Sequence, residues 1–137
     1  MEAKDLMLGD WILCESKYYR YKYPTANYNN ELDGGLWMTD SKGDDFYTSF
    51  QDIEPVPLKR IHLTKNGFKA TDEDDREFVY RDGYAITVNF EGGILDAEPI
   101  ISLSIDFAEK DLWMEIEYVH QLQQPMRIFG IDKDIKL

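Results

Sequence analysis

The sequence predicts an α+β protein, and three observations carry that prediction. Short aromatic and β-branched runs, separated by Gly, Pro, Asn and Asp, fill most of the chain; within residues 100–107 apolar and polar residues alternate from Ile101 onward; and from Tyr118 onward the apolar spacing changes to three and four residues. At 137 residues the chain has the size of a single domain that can bury its own core. With 43% hydrophobic and 14% aromatic residues, its composition is that of a globular protein and not of a disordered one.

Taken in order, Met7-Leu8-Gly9-Asp10 reads as a turn that feeds a buried strand, Trp11-Ile12-Leu13-Cys14. Tyr18 to Tyr23 has high strand propensity and is ended by Pro24 and the loop Thr25 to Asn30, so a hairpin with the first strand is expected. After Gly34-Gly35, Leu36-Trp37-Met38-Thr39 and the run Phe46 to Phe50 flank the turn Ser41-Lys42-Gly43-Asp44, a second hairpin. Several short strands this close together suggest a small curled sheet or SH3-like barrel over residues 1–56. The rest, 57–137, is expected as a helix, antiparallel strands and a C-terminal helix within the same single domain.

Glu54-Pro55-Val56-Pro57 must be extended, because each proline disfavours the helical region for its predecessor, and it reads as a linker. A short helix over 58–65 follows, stopped by Asn66-Gly67 with Phe68 packing back over its last turn. Phe78-Val79-Tyr80 and Tyr84 to Phe90 flank Arg81-Asp82-Gly83, a hairpin signal. Ile101, Leu103, Ile105 and Phe107 alternate with Ser102, Ser104 and Asp106, and Leu112 to Ile116 adds a fourth strand. Val119, Leu122, Met126 and Phe129 line one face of a closing helix that Gly130 ends, and Pro125 within it predicts a kink or a restart.

Charge narrows the partners. Fifteen Lys and Arg against 27 Asp and Glu give a net charge of -12, which disfavours phosphate backbones and anionic lipid for the molecule as a whole. The excess is spread along the chain: up to Arg60 there are seven cations against eleven acids, and beyond it eight against sixteen. The single Cys14 supports neither an internal disulfide nor a Cys-rich metal site. The first residues lack a basic run and an apolar stretch, and no window nears the ~18 apolar residues of a membrane span, so a cytoplasmic protein is expected.

The segments Glu54 to Leu58, Lys65-Asn66-Gly67-Phe68, Tyr118 to Gln123 and Gly130-Ile131, with the opening Ala3 to Trp11, resemble a family of small proteins from gut bacteria and their prophages. The resemblance implies a bacterial or phage accessory protein and carries no activity, cofactor or catalytic residue. Members of that family usually hold an acid where this chain has Gln121, and Pro125 is a departure from them.

No chemistry-bearing motif is complete. Asp72-Glu73-Asp74-Asp75 lacks the alternating ligands, glycine and closing glutamate of a calcium loop and reads as a solvated turn. His62 and His120 have no ligand at metal-binding helical spacing and read as core-edge histidines. Nothing near Cys14 would generate a thiolate, and the pairs Gly34-Gly35 and Gly92-Gly93 lack the spacing and Lys of a phosphate loop. No cofactor and no catalytic set is implied.

One segment stands out: Lys17-Tyr18-Tyr19-Arg20-Tyr21-Lys22-Tyr23, where three cations and four phenols interleave. Strand alternation would put Tyr19, Tyr21 and Tyr23 on one face and Tyr18, Arg20 and Lys22 on the other, which makes either a base-stacking platform or a core with a solvated reverse side. The expectation is a noncatalytic interaction module whose partner is a protein. The alternatives are single-stranded nucleic-acid binding through strand 17–23, which the net charge disfavours, and an acidic surface that imitates DNA. No membrane partner is expected, and the aromatic content would suit a homodimer.

Overall fold

Glu15 and Ser16 both take left-handed backbone angles, φ 49° and 64°, as a two-residue hairpin turn requires. The strand β1 (Trp11–Cys14) therefore folds straight back into β2 (Lys17–Ala26), with Cys14 opposite Lys17 and Trp11 opposite Arg20. This computed structural model describes residues 5–26, 32–92 and 99–137. The chain divides into two compact units, Met1–Pro57 and Leu58–Leu137.

The first unit is a five-stranded antiparallel sheet in the order β4-β3-β2-β1-β5. Its remaining strands are β3 (Leu32–Thr39), β4 (Asp45–Ser49) and β5 (Glu54–Pro55). The segment expected as a linker thus contributes a two-residue edge strand, in which Pro55 and Glu54 lie opposite Ile12 and Leu13. Among the described residues β4 and β5 remain the two edges and no pairing joins them, so the sheet is open and does not close into a barrel. Its core gathers Leu6, Ile12, Cys14, Tyr21, Leu36, Met38, Phe50 and Ile53, with Tyr19 packed against them. The residues from Asn27 to Asn30 of the expected loop lie outside the described residues, whereas Pro24 and Thr25 belong to β2. Proline is tolerated here because the ladder is already irregular on either side of it.

The second unit opens with α1 (Arg60–Lys65), where the Lys59 N–H donates to His62 Nδ1 at 3.1 Å and caps the first turn. It stops at Gly67 (φ 85°), and the Phe68 N–H reaches back to the Leu63 carbonyl at 3.0 Å, as the Asn-Gly-Phe signal predicts. A second five-stranded antiparallel sheet follows in the order β10-β9-β8-β7-β6. The strands are β6 (Lys69–Ala70), β7 (Glu77–Arg81), β8 (Ala85–Gly92), β9 (Pro99–Phe107) and β10 (Lys110–Ile116). Ile86, Val88, Phe90, Ile101, Leu103 and Ile105 are buried on one face, each removing roughly 1.5–3 kcal/mol of apolar surface from water. The opposite face carries Val79, Thr87, Ser104 and Trp113 in one cross-strand row.

The helix α2 (Val119–Ile128) runs without a break through Pro125, which corrects the expected restart. Proline costs the bond its own N–H would make and crowds the backbone one turn back, yet the ladder continues, with the Phe129 N–H donating to the Pro125 carbonyl at 3.0 Å. Gln121 Oε1 accepts from the Glu117 and Tyr118 N–H groups at 2.7 and 3.1 Å, closing the helix start. A glutamate or glutamine suits that third helical position for the same reason. Beyond the helix, buried Asn66 holds the C-terminal segment: its Nδ2 donates to the Lys136 carbonyl and its Oδ1 accepts from the Lys136 N–H, both at 2.7 Å. None of the described helices is long and apolar enough to cross a membrane.

Candidate interaction surface

The seven residues 17–23 all lie on β2, but their faces are not those that simple alternation assigns. Tyr21 stands opposite Met38, and the next pair is Tyr23 with Trp37, so two residues of β2 answer to one of β3. This β-bulge at Lys22–Tyr23 shifts the phase by one residue. Tyr19 and Tyr21 keep to the core, and Tyr23 joins Tyr18, Arg20 and Lys22 on the outer face. The expected three-tyrosine face is therefore corrected: Tyr23 leaves it.

The bulge completes a row that crosses three strands. Tyr23 lies opposite Trp37 and Trp37 opposite Tyr47. The Trp37 and Tyr47 rings meet edge to face with centroids 5.7 Å apart, a contact worth roughly 0.5–1.5 kcal/mol beyond the area it buries. Tyr23 and Tyr47 remain 52% and 56% exposed, and Tyr18 at the far end of the strand 43%. Gly35 follows Trp37 on the same face of β3, opposite Ser49. A Cβ there would come within 2.9 Å of Thr25 Oγ1 and would collide with the Tyr47 phenol. Glycine leaves room for the Tyr47 phenol to approach the strand at this position.

The neighbouring row is Arg20, Thr39 and Asp45. Lys22 Nζ meets Asp45 Oδ2 at 2.9 Å, and the Thr39 hydroxyl donates to Asp45 Oδ1 at 2.9 Å. Those two hydrogen bonds, the lysine's foremost, hold the Asp45 carboxyl below its ordinary pKa. Arg20 lies over the Trp11 ring, 4.2 Å from its centroid. Two of the segment's three cations thus have partners inside the sheet, and Lys17 sits at the hairpin turn. The outer face is a surface of exposed rings with its cations already engaged.

Trp37 and Tyr47 were not singled out from the sequence as surface residues. Both lie in runs expected as strands, but only the register, set by the bulge, puts them beside Tyr23. Tyr21, by contrast, is buried, and its phenol is held above its ordinary pKa by burial and then by nearby Asp10.

The histidines take part in local structure. His62 is buried with Nδ1 engaged as the α1 cap, and burial, Lys59 and Lys65 lower its pKa. His120 is buried and stacks on Tyr118 with rings 5.8 Å apart and 7° from parallel. Asp72 Oδ1 accepts from the Arg76 N–H at 3.0 Å within its own turn, and Cys14 is buried. Among the described residues no three His, Cys, Asp or Glu side chains gather as metal ligands. A groove of about 320 Å³ is lined by Gly67, Lys69, Ala70, Thr71, Val79, Tyr80 and Arg81. Its lining offers no carboxylate, histidine or thiol for acid–base or nucleophilic work.

No protein-family model matches this sequence, and comparisons with curated proteins and with solved structures find no significant match.

Proposed function

We propose that this chain is a noncatalytic interaction module that binds another protein through the outer face of its first sheet, in the setting of a bacterial or phage accessory protein. The observation that carries this reading is the row Tyr23, Trp37 and Tyr47 on three paired strands, in which two exposed tyrosine rings flank the half-buried indole. Tyrosine and tryptophan present large contact areas with few rotatable bonds, which is why they anchor protein interfaces. β2 and β3, each paired on both sides, hold Tyr23 and Trp37 in place before a partner arrives, so little ordering entropy remains to be lost there.

The same rings could stack nucleobases, but the electrostatics favour protein. Single-strand binders combine stacking platforms with cations that follow the phosphates. Here Lys22 is paired with Asp45 and Arg20 lies on Trp11, while the whole chain carries a net charge of -12. Bringing a phosphate backbone to this face would require breaking those contacts against an unfavourable long-range field.

The test is affinity purification of tagged full-length protein from native extract, with and without nuclease, beside the variant Tyr23→Ala/Tyr47→Ala. A stoichiometric protein that survives nuclease and is lost with the double variant is the expected result. Recovery of nucleic acid that depends on Arg20 and Lys22 overturns it in favour of the stacking alternative. Turnover that persists through repurification removes the noncatalytic reading altogether.

A further inference from the structure

We infer that β10 is a docking edge for an extended basic segment of a partner protein, which adds to the second sheet as a further antiparallel strand. This surface is separate from the aromatic row of the first sheet and does not depend on it.

Four strands end the two sheets, and they are not equally protected. β5 and β6 have two residues each and β4 has five, whereas β10 runs for seven, Lys110–Ile116, with no proline. Among the described residues no strand pairs with the far side of Lys110–Ile116, and the Leu58 N–H closes off the backbone just beyond it by donating to the Glu117 carbonyl at 2.9 Å. An edge strand leaves every second N–H and C=O pointing outward, and natural sheets keep such edges short or place charges on them. β10 is long, and its charges have a pattern.

Its outward residues are Asp111, Trp113 and Glu115, all exposed, while Leu112, Met114 and Ile116 turn toward the core side. Trp113 is 66% exposed, and the residues beside it in its row, Ser104 and Thr87, have short side chains that leave the indole standing clear. Asp111 stands directly opposite Asp106 of β9, and like charges so placed repel each other. Among the described residues none of Asp106, Asp111 and Glu115 has a cationic partner. A sheet that tolerates two facing carboxylates beside an exposed indole has an unfilled place for a cation.

Charge selects the occupant. If a second copy paired antiparallel about Trp113, Asp111 would face Glu115 of that copy at both ends, so self-addition is opposed. A strand with Arg or Lys at two positions four apart and an apolar residue midway reverses every sign. One cation would stand beside Asp111 on the side away from Asp106, the other would meet Glu115, and the apolar side chain would cover Trp113. Backbone bonds would supply affinity and the alternating side chains specificity, as in other strand-addition complexes.

The probe is a capped nine-residue peptide with the core Arg-Val-Leu-Val-Arg, titrated into isotope-labelled full chain and followed by amide NMR. Two control peptides carry Glu in place of Arg, or N-methyl groups at alternate backbone nitrogens. We expect shifts and slowed exchange confined to residues 110–116 and their β9 partners, with binding weakened about tenfold or more by N-methylation. The exposed pair Asp111→Lys/Glu115→Lys should lose the Arg peptide and gain the Glu peptide. No binding at millimolar peptide, perturbations centred elsewhere, equal binding of the N-methylated peptide, or a charge-swapped variant that still prefers Arg would each overturn the inference.

Discussion

The two sheets have the same number of strands and the same antiparallel pairing, yet they treat their outer faces differently. The first exposes Tyr18, Tyr23 and Tyr47 around Trp37, whereas the second carries short, half-buried residues such as Thr87, Asn89, Ser102 and Ser104, with one large exposed ring among the described residues, Trp113, at the rim. The cores differ as well. The first sheet buries its inner face with its own strands, Leu6 and the turn at Phe50–Ile53. The second unit draws buried residues from two helices and a C-terminal segment, including Leu63, Leu122, Met126 and Ile135. Where helices and a tail contribute to the core, a sheet can leave its other face bland; where a sheet packs against its own strands and a turn, cross-strand rings on both faces help to hold register.

The strongest way to break this comparison is to loosen the tail. Asn66→Ala removes a side chain that accepts from the Lys136 N–H and donates to the carbonyls of Lys136 and His62. It leaves buried backbone groups without partners, so a loss of about 2–4 kcal/mol is expected in denaturant unfolding. A midpoint within experimental error of wild type would mean that the C-terminal segment adds nothing to the second unit.

Next in size is Gly35→Ala. The added methyl must displace the Tyr47 ring or the Thr25 hydroxyl, and overpacking of this kind costs about 1–3 kcal/mol. Tyr47→Ala should cost less than Gly35→Ala, because the ring is 56% exposed, and the double variant should be more stable than Gly35→Ala alone. Strictly additive changes in chemical denaturation would show that the ring and the glycine are not coupled.

A smaller effect tests the second outer face. Asp111→Lys turns the two repulsions of self-pairing about Trp113 into two attractions with Glu115, so this variant should self-associate in sedimentation velocity at concentrations where the parent does not. A variant that keeps the parent's mass across the whole range would show that charge is not what opposes self-addition.

The smallest expected effect is a pH dependence. The folded state lowers the pKa of His62 through burial, Lys59 and Lys65, so the unfolded chain binds the proton more readily. Stability from this residue is therefore complete above the unfolded value of about 6.5 and declines as pH falls from there toward the lower folded value. Protonation would also end the bond that Nδ1 accepts from the Lys59 N–H. Melting curves of His62→Gln between pH 7.5 and 5 should fall less steeply than those of the parent, and parallel curves would remove His62 as the cause.

Most elements are legible in the sequence because their signals are local. The alternation at 101–107, the Asn66-Gly67-Phe68 stop and the turn at Gly83 each act within a few residues, and each is found where expected. What escapes is set by partners distant in sequence. That Glu54–Pro55 is a strand depends on an available edge of β1. The uninterrupted course of α2 depends on how little one lost bond matters once Pro125 is buried. For the candidate surface, strand 17–23 is conspicuous in its composition, but the company of Trp37 and Tyr47 follows from pairing alone. Likewise, Leu112 to Ile116 reads as a strand, while its position at the rim of a sheet is a property of order in space.

The irregularity at Lys22–Tyr23 acts as a frameshift written in geometry. Were the same residues paired without the bulge, Tyr23 would turn to the interior and Pro24 outward, with the amino-acid content of the strand intact. The identity of the outer face therefore rests on register, and a single-residue insertion or deletion between the hairpin turn and Tyr21 should disturb that face far more than substitutions at the same sites. Variation among related chains would then be expected to change the rings freely while keeping the length between the first turn and Pro24.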